Sequence, residues 1–260
     1  MSDEIKKFWD EQAKKYENSS LATSPDTFAF DLEIQELLKY LKEQKCVLDL
    51  GCGNGLKARF LNEKLDFSKY LGVDYSPQMI KQAQNLKENL CKIKPSLNKS
   101  LNFKQGDVLD ENLVEKEHFD AVFTSRCLIN LENFDKQKSA IKNIHSFLKK
   151  DGVYIMIENM LESLENLNLA RAEFDLEPIK MRWHNCYFLQ NELISFLGEY
   201  FVVEKIENFA STYYLISRTI NAALAGGGSV DYNSKINALA KKLPTLGDFS
   251  PMKCLVLRKK

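Results

Sequence analysis

The residues whose types and spacing can do chemistry begin at Asp49. In Asp49-Leu50-Gly51-Cys52-Gly53-Asn54-Gly55, three alternating glycines directly follow an apolar run. Glycine leaves no Cβ between chain and ligand and permits a tight turn, so such a loop can cradle a polar cofactor. A nicotinamide fingerprint would put its third glycine at position 56, which is leucine. The spacing is D-x-G-x-G-x-G instead. Nineteen residues after Gly55 stands Asp74, in Gly72-Val73-Asp74-Tyr75-Ser76. An acid at a strand end there can accept both hydroxyls of a ribose. Gly106-Asp107-Val108 closes a further apolar run, suitably placed for an aspartate to meet an adenine amino group.

These residues need a scaffold that brings loop ends together. Between about 46 and 157, short apolar runs alternate with amphipathic stretches, the pattern of βα units around a parallel sheet. The expected strands are Cys46–Leu50, Tyr70–Val73, Leu101–Gln105, Phe119–Thr124 and Val153–Ile157. Ile34, Leu37, Leu38 and Leu41 fall at helical spacing before the first. Ser76-Pro77 reads as N-cap and first helical residue. Ile141, Ile144 and Leu148 mark a third helix, expected to stop at Asp151-Gly152. Tyr200–Ile206 and Cys254–Leu257 are expected as a hairpin-like pair at the sheet edge. Two insertions, about 159–188 and about 210–250, read as helical caps, the second broken at Gly226-Gly227-Gly228-Ser229. The expectation is one domain, residues 1–260, with two caps.

Taken in order, the loop, the spaced acid, Gly106-Asp107-Val108, Phe119-Asp120-Ala121-Val122-Phe123 and Leu148-Lys149-Lys150-Asp151-Gly152-Val153 resemble the class I S-adenosylmethionine-dependent methyltransferases. The resemblance covers roughly residues 45–160. It implies a Rossmann-like α/β fold with a seven-stranded, mostly parallel sheet and helices on both faces. It implies S-adenosylmethionine as cofactor and S-adenosylhomocysteine as product. By the same resemblance Gly51 and Gly53, with Cys52 between them, line the methionine portion. Asp49 supports the loop or the amino group, Asp74 holds the ribose, and Tyr75 and Met79 flank the adenine. Asp107 and Val108 contact the adenine edge, and Ser125 also borders the cofactor. The segment from Phe8-Trp9-Asp10 to Tyr16 looks like the helix that closes over the cofactor.

Such a resemblance fixes the methyl donor and leaves the acceptor open. Ser125-Arg126-Cys127-Leu128-Ile129-Asn130-Leu131 lacks the (N/D)PP(Y/F) of adenine amino methyltransferases and the Pro-Cys of cytosine carbon-5 enzymes. It offers no carboxylate for a divalent cation, so no metal is expected. Asn130 stands where many small-molecule relatives carry histidine. Three bases or orienters remain: Glu158, His184 and Tyr187. His145 lies on the apolar face of its helix and His118 reads as a surface residue. The six arginines are sparse beside lysine, yet Arg126, Arg182 and Arg218 fall in segments expected to border the acceptor. A guanidinium grips carboxylate or phosphate bidentately, so an anionic small-molecule acceptor is expected, with Arg126 catalytic and Asn130, Arg182, Arg218 and Tyr213 in its site. Tyr213 and its neighbours can instead anchor the cap to the sheet, and that reading is preferred. A looser resemblance points to bacterial enzymes that methylate surface-polysaccharide precursors, as O-methyl sugars or O-methyl phosphoramidate.

Composition sets the outer limits. The chain has 260 residues, with 36 Lys plus Arg against 36 Asp plus Glu, and a balanced charge argues against a dedicated nucleic-acid binder. Lys81 to Lys104 is lysine-rich but interspersed with acids. An RNA or protein methyltransferase remains the enzymatic alternative, and a non-catalytic cofactor-binding protein the other. No apolar run approaches a membrane span, the N-terminus is acidic, and six cysteines are scattered singly. These features predict a cytoplasmic protein with reduced thiols, not a membrane, secreted or disordered one.

Overall fold

The computed structural model describes residues 2–228 and 231–260; Ser229, the end of the expected glycine-rich break, lies outside the described residues. The chain runs through α1 (Asp3–Tyr16), α2 (Thr27–Leu41), β1 (Cys46–Leu50), α3 (Leu56–Lys64), β2 (Lys69–Asp74), α4 (Pro77–Ile93), the short α5 (Leu97–Ser100) and β3 (Leu101–Gln105). It continues with β4 (Phe119–Ser125), a 3-10 turn (Leu128–Asn130), α6 (Phe134–Phe147), β5 (Leu148–Asn159), α7 (Leu161–Ala172), α8 (Gln190–Tyr200) and β6 (Phe201–Glu207). Then come α9 (Ser211–Leu215), a π turn (Ile216–Ile220), α10 (Asn221–Leu224), α11 (Lys235–Ala240) and β7 (Met252–Lys259).

The seven strands order as β3-β2-β1-β4-β5-β7-β6, with β7 antiparallel to both neighbours. This is the Rossmann-like, seven-stranded and mostly parallel sheet expected above. Strand order reverses between β1 and β4, and ligands of such sheets bind outside the carboxyl ends at that point. Every residue of β1 is buried, because helices cover both faces. Leu48 and Leu50 pack with Ile141, Ile144, Leu193 and Leu197 on one face. Val47 packs with Leu37, Leu41, Leu61 and Ile80 on the other.

Local chemistry sets the helix starts. Ser76 caps α4, its hydroxyl accepting the Met79 amide at 3.0 Å, with Pro77 in the first turn. Asp26 caps α2 and Asn133 caps α6 in the same way. The helix expected to run to Asp151-Gly152 stops earlier. Leu148 is already in β5 opposite Phe119, and Asp151, at φ 59°, lies within that strand's irregular start. Pairing with β4 captures the backbone of Leu148 before another helical turn can form. His145 packs edge-on against Tyr200 and Phe201.

Candidate active site

The glycine loop is held by its neighbours' backbone. Gly51 and Cys52 amides donate to the Val73 carbonyl at 2.8 and 3.0 Å. The Gly53 amide donates to Asp74 Oδ2 and the Ser76 amide to Asp74 Oδ1, each at 2.9 Å. One carboxylate therefore ties the loop to the start of α4. Burial pushes that carboxyl up to about 6, against the pull of its backbone donors. Gly51 has φ +78°, and a Cβ there would lie 2.6 Å from Cys127 Cβ, so only glycine fits the turn.

Above the loop lies a cavity of about 340 Å³ at the carboxyl ends of the central strands. Gly51, Cys52, Gly53, Asp74, Tyr75, Met79, Asp107, Val108 and Ser125 line it. The helix α1 is tied to the cavity's rim at three points. Asp10 accepts the Ser76 hydroxyl, Trp9 Nε1 donates to Asn130 Oδ1 at 3.2 Å, and Phe8 stacks on His184 at 4.6 Å. Asn54 secures the end of α1, donating to the Glu17 and Ser19 carbonyls at 2.8 and 2.9 Å. Asn130 also donates to the Arg126 carbonyl at 2.8 Å, joining α1 to the segment after β4.

The far end of the same cavity is lined by Glu33, Lys57, Arg126, Asn159, Lys180, Arg182, His184, Tyr187, Tyr214 and Arg218. Glu33, 1 % exposed, is the hub. It accepts the Ser125 hydroxyl at 2.6 Å and pairs with Arg126 at 3.1 Å and Lys57 at 3.2 Å. Burial opposes its charge, yet the two cations outweigh that and hold it below the usual carboxylate range. Arg126 adopts φ 55°, a left-handed conformation costly for an arginine and held by its amide's bond to the Ile157 carbonyl at 2.8 Å. Arg218, on the π turn, pairs with buried Asp26 at 2.5 Å and stacks over Tyr232 at 4.2 Å. Burial first, then Arg182, pushes His184 down to about 4, so its imidazole is neutral at neutral pH.

The sequence profile described as "Methyltransferase domain" matches residues 41–190, more than half of the chain. The chain belongs to this family. A carboxy-S-adenosyl-L-methionine synthase of Nautilia profundicola (strain ATCC BAA-1463 / DSM 18972 / AmH) is 29% identical over 138 residues, covering 53% of this chain and 54% of that protein. Human EEF1A lysine methyltransferase 2 is 29% identical over 153 residues, covering 55% of this chain and 61% of that protein. The chain thus spans little more than half the length of these curated relatives. The fold matches the N-methyltransferase NodS of Bradyrhizobium japonicum WM9 in complex with S-adenosyl-L-homocysteine, at a TM-score of 0.61 and 14% identity over 99% of each chain.

The cofactor of this methyltransferase domain is S-adenosylmethionine. The cofactor end fits it: the side-chain-free backbone of Gly51 and Gly53 lining the cavity, a half-buried carboxylate at Asp74, and apolar Met79 and Val108 beside them. Four of the expected site residues do not line the cavity. Asp49 lies beneath the loop, accepting the Tyr70 hydroxyl at 2.7 Å, and burial pushes it up to about 7. Tyr16 packs against Ala13, Ala22 and Met79 at the end of α1. Tyr213 is 2 % exposed and donates to Asp26 Oδ1 at 2.7 Å, so it anchors the cap while Tyr214 faces the cavity. Glu158 is fully buried and accepts the amides of Cys127, Leu128 and Ile129 at 3.0, 3.0 and 3.3 Å. Alternation along β5 turns it under the segment after β4, away from any acceptor.

Sequence reasoning missed Glu33, Lys57, Asn159 and Asp26. Glu33 had a readable signal: it precedes Leu37 and Leu41 at i+4 and i+8, an acid on the buried stripe of α2. The arginine argument also changes. Arg126 and Arg218 are ion-paired to buried carboxylates, whereas Lys180 and Arg182 are exposed at the rim and form no ion pair among the described residues. Also among the described residues, no helix is long and apolar enough to cross a membrane.

Proposed function

We propose that this chain transfers the methyl group of S-adenosylmethionine to a small anionic acceptor drawn into the far end of the cavity. The observation that carries this reading is the charge along the cavity wall. Lys57, Arg126, Lys180, Arg182 and Arg218 face two paired carboxylates, Glu33 and Asp26, at that end, whereas Asp74 and Asp107 line the other. Three more cations than anions favour a ligand that brings negative charge.

S-adenosylmethionine supplies an electrophilic methyl carbon on a sulfonium. The chain's own part is positioning and exclusion of water: α1 covers the cofactor end, and the segment 125–131 forms the wall between the two ends. His184 stays neutral with a low proton affinity, Glu33 is engaged by two cations, and Glu158 does not reach the cavity. These groups suit an acceptor whose nucleophilic oxygen is already ionised, a carboxylate or a phosphate-type oxygen, which needs no base. Phosphorylated or nucleotide-linked sugar precursors and phosphoramidates fall in that class. We read the chain as a single cytoplasmic domain, residues 1–260, with caps at about 159–188 and 210–250 bordering the acceptor. Turnover of labelled S-adenosylmethionine with a panel of sugar phosphates, nucleotide sugars, phosphoramidates and carboxylates, together with the uncharged parent sugars and alcohols, tests the proposal. Methylation confined to uncharged members would refute it.

A protein acceptor is the second reading, favoured by the name of one relative, a lysine methyltransferase, and by Met181 and Trp183, exposed by 43% and 60% beside the rim. Labelling of protein bands in a lysate, with no turnover of the small-molecule panel, would replace the first reading by this one. Binding of S-adenosylhomocysteine with turnover of nothing in either set would favour a non-catalytic cofactor-binding role.

A further inference from the structure

Among the described residues, four groups on the wall of the far end have a buried atom without a hydrogen-bond partner, Glu33 Oε1, Arg126 Nε, Asn159 Oδ1 and His184 Nδ1, of which Glu33 Oε1 is met by its ion pair with Arg126. Native interiors rarely leave such atoms unmet, so several around one cavity call for a ligand or an ordered water there. Their scaffolding brings them together. Arg126 begins the segment after β4 and is bonded through its amide to Ile157, two residues before Asn159. The carbonyl of Asn159 accepts the Phe188 amide at 3.0 Å, and the Ile129 carbonyl accepts the Cys186 amide at 2.6 Å. Those two bonds hold the loop carrying His184 against the end of β5 and the segment after β4. Asn159 and His184 are 7 % and 5 % exposed, so bulk water does not serve them.

We propose that Asn159 and His184 form a hydroxyl-reading subsite beside the anion-holding Arg126, so that the acceptor is a hydroxylated anion, not a bare one. A hydroxyl suits this pair for a simple reason. It donates its one proton to Asn159 Oδ1 and accepts from His184 Nδ1–H, the tautomer such a ligand selects. An alkyl group in its place leaves two buried polar side chains unmet, which is how sites built for a hydroxyl reject analogues lacking it. Arg126 lines the same cavity, and with its Nη atoms on Glu33 and the Thr23 carbonyl, Nε remains as one charge-assisted donor for the anionic group. The inference rests on the anionic-acceptor reading above and adds a second recognition element to it.

The test uses two probes of equal chain length, sn-glycerol 3-phosphate and n-propyl phosphate, titrated by calorimetry into the full chain saturated with S-adenosylhomocysteine. The subsite predicts glycerol phosphate binding at least fivefold tighter than propyl phosphate. Asn159→Leu should abolish that preference while leaving propyl phosphate and S-adenosylhomocysteine affinities within twofold. Asn159→Ser, which keeps a hydroxyl partner, should retain part of it. Equal binding of the two phosphates by the parent chain overturns the subsite and leaves the anionic reading standing, with no variant needed to decide. A preference that survives Asn159→Leu also overturns it. Failure of both phosphates to bind contradicts the anionic reading, and the subsite with it.

Discussion

Glu158→Ala separates a positioning role from a catalytic one. The Glu158 carboxylate meets three backbone amides at the start of the 3-10 turn 128–130, the turn that carries Asn130 and walls the cavity. Removing it orphans three buried N–H groups. At about 1 kcal/mol or more each, the loss is at least about 3 kcal/mol, or about 6–12 °C in Tm for a chain of this size. A pH signature accompanies it. Burial raises this carboxyl from 4.5 to about 7, so its folded-state preference for the protonated form, about 3 kcal/mol, is fully present below pH 4.5 and lost as pH rises to 7. Urea unfolding of the parent should therefore weaken across pH 4.5–7, and the variant should show a shallower slope there. Asp49, raised to about 7 by burial, contributes in the same direction and leaves a residual slope in the variant. S-adenosylhomocysteine affinity should fall together with stability, because the turn and the glycine loop meet at Cys127 and Gly51. A variant as stable as the parent, with normal S-adenosylhomocysteine affinity but lost turnover, would refute the argument and restore Glu158 as a base.

Further outcomes follow from the same contacts. Asp74→Asn replaces an acceptor of the Gly53 or Ser76 amide by a donor, so S-adenosylhomocysteine affinity in calorimetry should drop by tenfold or more. Trp9→Phe keeps an aromatic ring but removes the indole donor to Asn130, and should weaken S-adenosylhomocysteine about three- to tenfold, chiefly as faster release in stopped flow. Gly51→Ala pushes a methyl into Cys127 in a left-handed backbone; thermal melting should show a marked loss of stability, and an unchanged Tm would contradict the turn described here. Arg182→Ala at the exposed rim should raise the KM of an anionic acceptor and flatten its salt dependence, with S-adenosylhomocysteine binding unaffected.

Much of the cofactor end was legible in the sequence because its requirements are local. Gly51, Gly53 and Asp74 sit at strand ends that the apolar runs mark, and their partners lie within the same βα unit. The acceptor end was legible only in part, because its chemistry is made by contacts between distant segments. Glu33 of α2 meets Arg126 after β4, and Asp26 meets Arg218 nearly two hundred residues away. Arginine placement therefore picked out residues that share one cavity while hiding that two of the three are ion-paired there. Glu158 looked like a base at a strand end, but whether its side chain turns to the cavity or beneath the turn depends on strand alternation fixed by the register with β7. The early stop of α6 had the same origin, a pairing with β4 that local helical spacing does not encode.

The central claim, that this fold holds S-adenosylmethionine over the Gly51–Gly55 loop, is tested most directly by calorimetric titration of S-adenosylhomocysteine into the parent chain and Asp74→Asn. One saturable site per chain, weakened tenfold or more in the variant, is the predicted result. No binding to the parent, or equal binding by both proteins, would contradict the account.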